Sequence, residues 1–278
     1  MSTVIIAIAK FEQDYIEEWV IYHLALGFDK IYLYDNEDEA IYYKILTKYG
    51  GRIVHTHIKG NEYEIGVQYR ALHHFHSTYI SSEIKYAMHI DIDEFVCLKK
   101  HKNIKEFINE YFKPGIAAIN LCWRFFGSSG QVKKMNEPVV SRFRRCASQG
   151  DILMKTLYDV TKITAHTDCH SVKPIEGHVV IATNGVVTTC SENPDNDISV
   201  ACVNHYYCKT IPEFFYSKTR GRADIPGGLK GHPFYGDSTS TALDMDLIKC
   251  YTKRNLNDVE DLTAYNFYNA IKYLILVP

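Results

Sequence analysis

Tyr86-Ala87-Met88-His89-Ile90-Asp91-Ile92-Asp93-Glu94-Phe95 is an apolar run that ends in paired carboxylates. A short, bounded apolar run predicts a buried strand. Side chains on a strand alternate between faces, so Asp91 and Asp93 are expected to point the same way while Ile92 enters the core. Two like charges at one place repel, and a hard divalent cation relieves the repulsion through oxygen ligands. Mg²⁺ or Mn²⁺ held by one or two carboxylates commonly also binds substrate phosphates. The stretch therefore reads as a candidate metal and diphosphate site at the carboxyl end of a strand. The bland alternative is turn chemistry, since Asp is common at strand ends and caps.

Working outward, strand and helix alternate through the first ninety residues. Residues 4–9 form an apolar run, and Ile16, Trp19, Val20, His23 and Leu24 recur at helical spacing before Gly27. Strands are expected over 30–34, 52–58 and 86–90, with helices over 39–49 and 66–80. Such alternation implies a parallel sheet with right-handed crossovers, whose ligands bind beyond the carboxyl ends of the strands. Asp35-Asn36 and Asp91/Asp93 fall at that edge. The expected fold class is α/β with a mostly parallel central sheet and an irregular C-terminal half.

Beyond residue 100 the pattern loosens. A helix is expected over 104–112 and a strand over 117–123. Periodicity then weakens from Gly127-Ser128-Ser129-Gly130 to about 152, as in a loop over a site. Strand-like runs return at 153–158, 162–165, 178–182 and 199–203, and helices at 211–219, 244–251 and 262–275. The chain of 278 residues reads as one domain: about 1–100 a nucleotide-binding half, about 101–240 an acceptor and metal-completing half, and 241–278 C-terminal helices.

Composition narrows the function. A formal net charge of -2 supplies no basic field for nucleic acid. The eight cysteines include no Cys-x-x-Cys pair and lie scattered in apolar runs, as buried free thiols do. With no basic leader and no apolar run long enough to span a bilayer, the expectation is a soluble, cytoplasmic protein in a reducing compartment. No Gly-x-Gly-x-x-Gly and no Gly-x-x-x-x-Gly-Lys-Ser/Thr follows the first strand, which argues against a P-loop ATPase or an ordinary dehydrogenase.

Five blocks in order resemble one family. They are Ala7-Ile8-Ala9-Lys10-Phe11-Glu12 with 15–23; Leu26-Gly27-Phe28 leading to Tyr34-Asp35-Asn36; Asp91 to Phe95; Trp123-Arg124-Phe125-Phe126-Gly127-Ser128-Ser129-Gly130; and Asn204-His205-Tyr206 with Lys209, Glu213-Phe214, Lys218 and Arg220-Gly221-Arg222-Ala223-Asp224. Together they are similar to GT-A-fold (Rossmann-like) glycosyltransferases of the family 2 and family 92 type, the latter formerly domain of unknown function 23. The family's first block usually reads Lys-Asn-Glu, so Phe11 replaces an amide that can touch the nucleotide. After Asp-Asn the second block continues as Glu37-Asp38-Glu39 instead of Ser and Asp.

The resemblance implies a metal-dependent, inverting hexosyltransferase with a DXD motif, Mn²⁺ or Mg²⁺ as cofactor and a nucleoside-diphosphate sugar, UDP-linked, as donor. The acceptor is a hydroxyl on a glycan, lipid or protein. Asp91, Asp93 and His205 are the expected metal group, with His166, His170 and His178 as rivals to His205. Lys10, Glu12, Asp35, Asn36, Arg70, Lys218 and Arg220 are assigned to the nucleotide sugar, with Gln68 and Arg222 beside them. Trp123, Ser128 and Ser129 are assigned to the acceptor. Asp224, then Asp168 and Asp151, are candidates for the general base. A sugar nucleotidyltransferase, or a non-catalytic protein keeping the fold, remains the alternative. Each position also has an ordinary structural reading: His205 as a core histidine, Asp35-Asn36 as a turn, Trp123 as strand-end core and the basic residues as solvated surface.

Overall fold

A computed structural model of the chain describes residues 2–60, 65–80, 83–188, 196–218, 223 and 241–273. The first half runs β1 (Ser2–Ala9), α1 (Ile16–Ala25), β2 (Lys30–Asp35), α2 (Tyr42–Leu46), a 3₁₀ segment (Thr47–Arg52), β3 (Ile53–His57), α3 (Val67–Thr78), β4 (Ile84–His89), β5 (Glu94–Leu98) and α4 (Ile104–Tyr111). It continues with β6 (Ile116–Phe125), α5 (Val139–Arg142), β7 (Arg145–Cys146), β8 (Met154–Asp159), β9 (Ile163–His166), β10 (Val172–Pro174), β11 (Val179–Ala182) and β12 (Val187–Thr188). The remainder is β13 (Ala201–His205), α6 (Ile211–Lys218), α7 (Thr241–Arg254), β14 (Val259–Glu260) and α8 (Thr263–Ile271).

The main sheet has the order β12-β11-β6-β8-β4-β1-β2-β3, with β13 joining β6 to β5. β1 pairs parallel with β2 and β4, and β2 with β3. The mixed α/β class with a mostly parallel central sheet is the expected one. One insertion departs from the simple alternation: β8 lies antiparallel between β4 and β6. Its side chains therefore reach the carboxyl end of β4 from a part of the sequence more than sixty residues away. Gly27 has φ +103 and ends α1 in the left-handed region that glycine enters without penalty.

The paired carboxylates need a correction. β4 ends at His89, and Asp91 to Glu94 form a tight turn closed by the Glu94 amide donating to the Asp91 carbonyl at 3.0 Å. The alternation of an extended strand therefore does not govern their directions. Ile92 is buried, as expected, at 2% exposure. The expected helix over 39–49 is shorter, because it gives way at Thr47 to the 3₁₀ segment that Gly50 (φ +56) interrupts.

Packing onto the sheet is fixed in one place by a buried ion pair. Arg142 of α5 holds Glu213 of α6 through two hydrogen bonds of 2.7 and 2.6 Å, and both side chains are almost fully buried. Tyr15 and Thr210 donate to the same carboxylate. Burial alone raises a carboxyl pKa, but the hydrogen bonds from Arg142, Thr210 and Tyr15 outweigh it and bring Glu213 from 4.5 to about 2. A depressed folded pKa contributes stability that is complete above pH 4.5 and lost as pH falls toward 2. We expect Arg142→Met to cost about 3–5 kcal/mol at pH 7, since it strands a buried carboxylate. Without Arg142 the buried carboxyl's pKa rises, so urea unfolding should show this loss shrinking already as pH falls from 7 toward 4.5 and further below it; a loss independent of pH would assign it to packing.

Candidate active site

The carboxyl ends of β1, β2 and β4 lie side by side, with Ala9 paired to Asp35 and Ile6 to His89. Past β4 the turn brings Glu94 onto β5, and β5 runs antiparallel to β13 with Glu94 directly opposite His205. The Tyr206 amide donates to the Asp93 carbonyl at 2.8 Å. This long-range pairing sets His205 Nε2 3.6 Å from Asp93 Oδ2. Burial lowers the His205 pKa while Asp93 opposes the shift, so at neutral pH the ring offers a lone pair.

Asp91 faces a different partner. Lys155 of β8 is fully buried, with Nζ 3.0 Å from Asp91 Oδ2 and 3.4 Å from Glu94 Oε2. Burial works against the ammonium, but Asp91 and Glu94 outweigh it and Lys155 titrates above its usual value. Burial likewise pushes Asp91 up, yet Lys155 and His89 hold it down at about 2. Glu94, fully enclosed, is driven upward by burial despite Lys155. Lys155 is not among the residues expected at the site from sequence. Its signal is a lysine inside the apolar strand Met154-Lys155-Thr156-Leu157-Tyr158, where a charge is tolerated only if paired.

Unsatisfied groups cluster here. Glu94 Oε1, His205 Nδ1 and Trp123 Nε1 are buried and make no hydrogen bond. Trp123 packs edge-on to His205 at 4.4 Å and to His170 at 5.0 Å, so the three rings form one wall. Buried polar atoms without partners are rare in native proteins and mark places where an ion, water or ligand belongs.

The donors fit a divalent cation in one particular way. Asp93 Oδ2 and His205 Nε2 are 3.6 Å apart, near the donor separations expected around an ion with bonds of about 2.1 Å. Among the described residues no three His, Cys, Asp or Glu side chains converge on one point. Asp93 and His205 would thus hold the ion as a pair, and the remaining positions would fall to water and a ligand's phosphate oxygens.

Other candidates are placed as follows. Asp35 is fully buried and accepts from the amides of Glu37, Ile41 and Tyr42 and from His55 Nε2, so its carboxylate organises the start of α2. Asn36 donates to the Ile58 carbonyl at 2.7 Å. Glu12 is buried, and its amide donates to the Tyr42 hydroxyl. Lys10 lies beside the Phe11 ring, and Phe11 itself has φ +61 and stacks on Tyr216. Arg70 donates to the carbonyls of Lys59 and Gly60. Lys218 sits 3.8 Å over the Tyr207 ring. Ser128 and Ser129 bind Asn255 and Asn257 through their amides, and Ser129 Oγ accepts from the amides of Arg144 and Arg145. Gly127 is required there: a Cβ would meet the Asn257 side chain and the Leu256 carbonyl oxygen. Asp168 Oδ1 caps its own loop through His170 and Ser171, yet the residue lines a cavity of about 550 Å³. Asp151 caps Leu153. His178 lines the same cavity as Asp168, whereas His166 turns away to His76. Gln68 lies 3.4 Å from His89. Arg220, Arg222 and Asp224 lie outside the described residues.

No family model and no curated protein matches the chain. Among solved structures, a fragment (1-349) of S. aureus TarS is 13% identical with a TM-score of 0.40, covering 79% of this chain and 64% of that one. HddC from Yersinia pseudotuberculosis is 11% identical with a TM-score of 0.35, covering 78% and 97%. Core-mannan synthase A from Aspergillus fumigatus, in its Mn/GDP form, is 7% identical with a TM-score of 0.30, covering 48% and 44%. Likeness at this level decides nothing about reaction or substrate. The seven cysteines among the described residues are free thiols, and no described helix is long and apolar enough to cross a membrane.

Proposed function

We propose that the chain is a metal-dependent glycosyltransferase that takes a sugar from a nucleoside-diphosphate donor, UDP-linked, and gives it to a hydroxyl acceptor with inversion. The observation that carries this reading is the turn after β4, which presents Asp93 to His205 beside the unsatisfied Glu94 and Trp123 atoms. Asp93 and His205 would hold Mn²⁺ or Mg²⁺ there, and the ion would offset charge growing on the leaving diphosphate. Lys155 holds Asp91 ionised through a 3.0 Å hydrogen bond, so in this reading the first carboxylate is assigned to the frame. Lys10 and Glu12 stand at the end of β1, where the base and ribose are expected. Asp168, which lines a cavity of about 550 Å³, or Asp224 would take the acceptor's proton.

The test is thermal unfolding with nucleotides and nucleotide sugars, with and without Mn²⁺. A ligand at a hundred times its Kd adds about 2.7 kcal/mol, hence a rise of roughly 5 °C for a chain of this size. A rise with UDP that requires Mn²⁺ is expected. Silence from every nucleotide would overturn the reading, and pyrophosphate release from a nucleoside triphosphate and a sugar phosphate would replace it with a nucleotidyltransferase.

A further inference from the structure

Away from the acidic turn, three polar atoms from three elements converge. His76 Nε2 of α3 lies 2.8 Å from His166 Nε2 of β9, and each lies 3.1 Å from the Tyr158 hydroxyl of β8. An Nε2 atom carries either one hydrogen or one lone pair. However the hydrogens of this trio are arranged, at most two of the three sides can be hydrogen bonds, because the third lacks either a hydrogen or a lone pair. Hydrogen bonding alone therefore does not account for the arrangement.

The geometry points to a second cation site, for a borderline-soft divalent transition ion such as Zn²⁺, Co²⁺ or Ni²⁺, built from His76, His166 and Tyr158. With bonds of about 2.1 Å, one face of an octahedron has edges of about 3.0 Å, and a tetrahedron has edges of about 3.4 Å. The observed edges of 2.8, 3.1 and 3.1 Å match the octahedral face. Imidazole is a ligand that suits these ions. To ligate, each ring need only carry its hydrogen on Nδ1, leaving the Nε2 lone pair for the ion. His76 and His166 also line a cavity of about 630 Å³ that His73 and Arg70 share. The ion would enter from that cavity, and its open positions would face it. The site is independent of Asp93 and His205.

Titration of metal-stripped protein with Zn²⁺ by calorimetry, and with Co²⁺ by visible absorption, tests this. One equivalent is expected to bind at this site in wild type and in Asp93→Asn alike. His76→Gln and His166→Gln should each weaken it at least about a hundred-fold, more than loss of an outer-shell partner usually costs. Anomalous scattering from a Zn²⁺-soaked wild-type crystal locates the ion even where a variant fails to fold. Absence of Zn²⁺ binding in Asp93→Asn, binding that survives loss of both histidines in that Asp93→Asn background, or no ion between His76, His166 and Tyr158 in the soaked crystal would overturn the proposal.

Discussion

Asp93→Ala is expected to lower Mn²⁺-supported transfer by about a thousand-fold, the scale on which one well-placed charge-stabilising group acts. Among the described residues, Asp93 and His205 are the pair placed to share an ion. Removing the carboxylate leaves an imidazole and whatever phosphates the ligand brings, and a hard cation prefers oxygen. The variant should therefore lose metal-dependent UDP binding while any weak metal-independent binding persists. Asp93 is 8% exposed at the rim of the cluster, and its backbone carbonyl, which holds Tyr206, survives the substitution. The fold should be kept. His205→Ala should act in the same direction, and the double variant should be little worse than either alone, because both act through one ion. Asp91→Asn separates the roles: it faces Lys155, so it should leave the metal dependence of UDP binding in place. Undiminished Mn²⁺-dependent binding in Asp93→Ala would end the assignment.

The sequence made part of this legible. Strand-helix alternation marked the parallel sheet and put Asp35 and Asp91 at the right edge, because hydrophobic periodicity is a local signal. It did not disclose that β5 would pair with β13 or that β8 would invert beside β4. Those pairings join residues far apart in the chain, and they are what bring His205 to Asp93 and Lys155 to Asp91. Composition alone also could not separate binding residues from framing ones. Asp35 and Ser129 look like ligand groups in sequence, and their oxygens also accept from backbone amides, a use that short polar side chains serve wherever the chain turns.

Lys155→Met should cost about 3–5 kcal/mol at neutral pH, by leaving buried carboxylates uncompensated. Glu94 is fully enclosed and already has one oxygen without a partner. Asp91 is 34% exposed, so water shares its charge; Glu94, whose pKa burial already raises, bears the penalty only where it is ionised, toward high pH. The pH dependence follows from the signs. Lys155 titrates above its ordinary 10.5, so its contribution is complete below that pH and fades only at higher alkalinity. Asp91 is depressed from 3.8 to about 2, so its contribution is complete above 3.8 and fades in acid. Without the ammonium both carboxyl pKa values rise, and protonation relieves the strain as pH falls. The difference between variant and wild type should therefore be small near pH 4 and large at pH 8, measured by urea midpoints. Lys155→Met combined with Glu94→Gln should recover part of the loss, since it removes the buried charge that the lysine had matched. An equal loss at both pH values, with no recovery in the double variant, would mean that Lys155 fills space and does not balance charge.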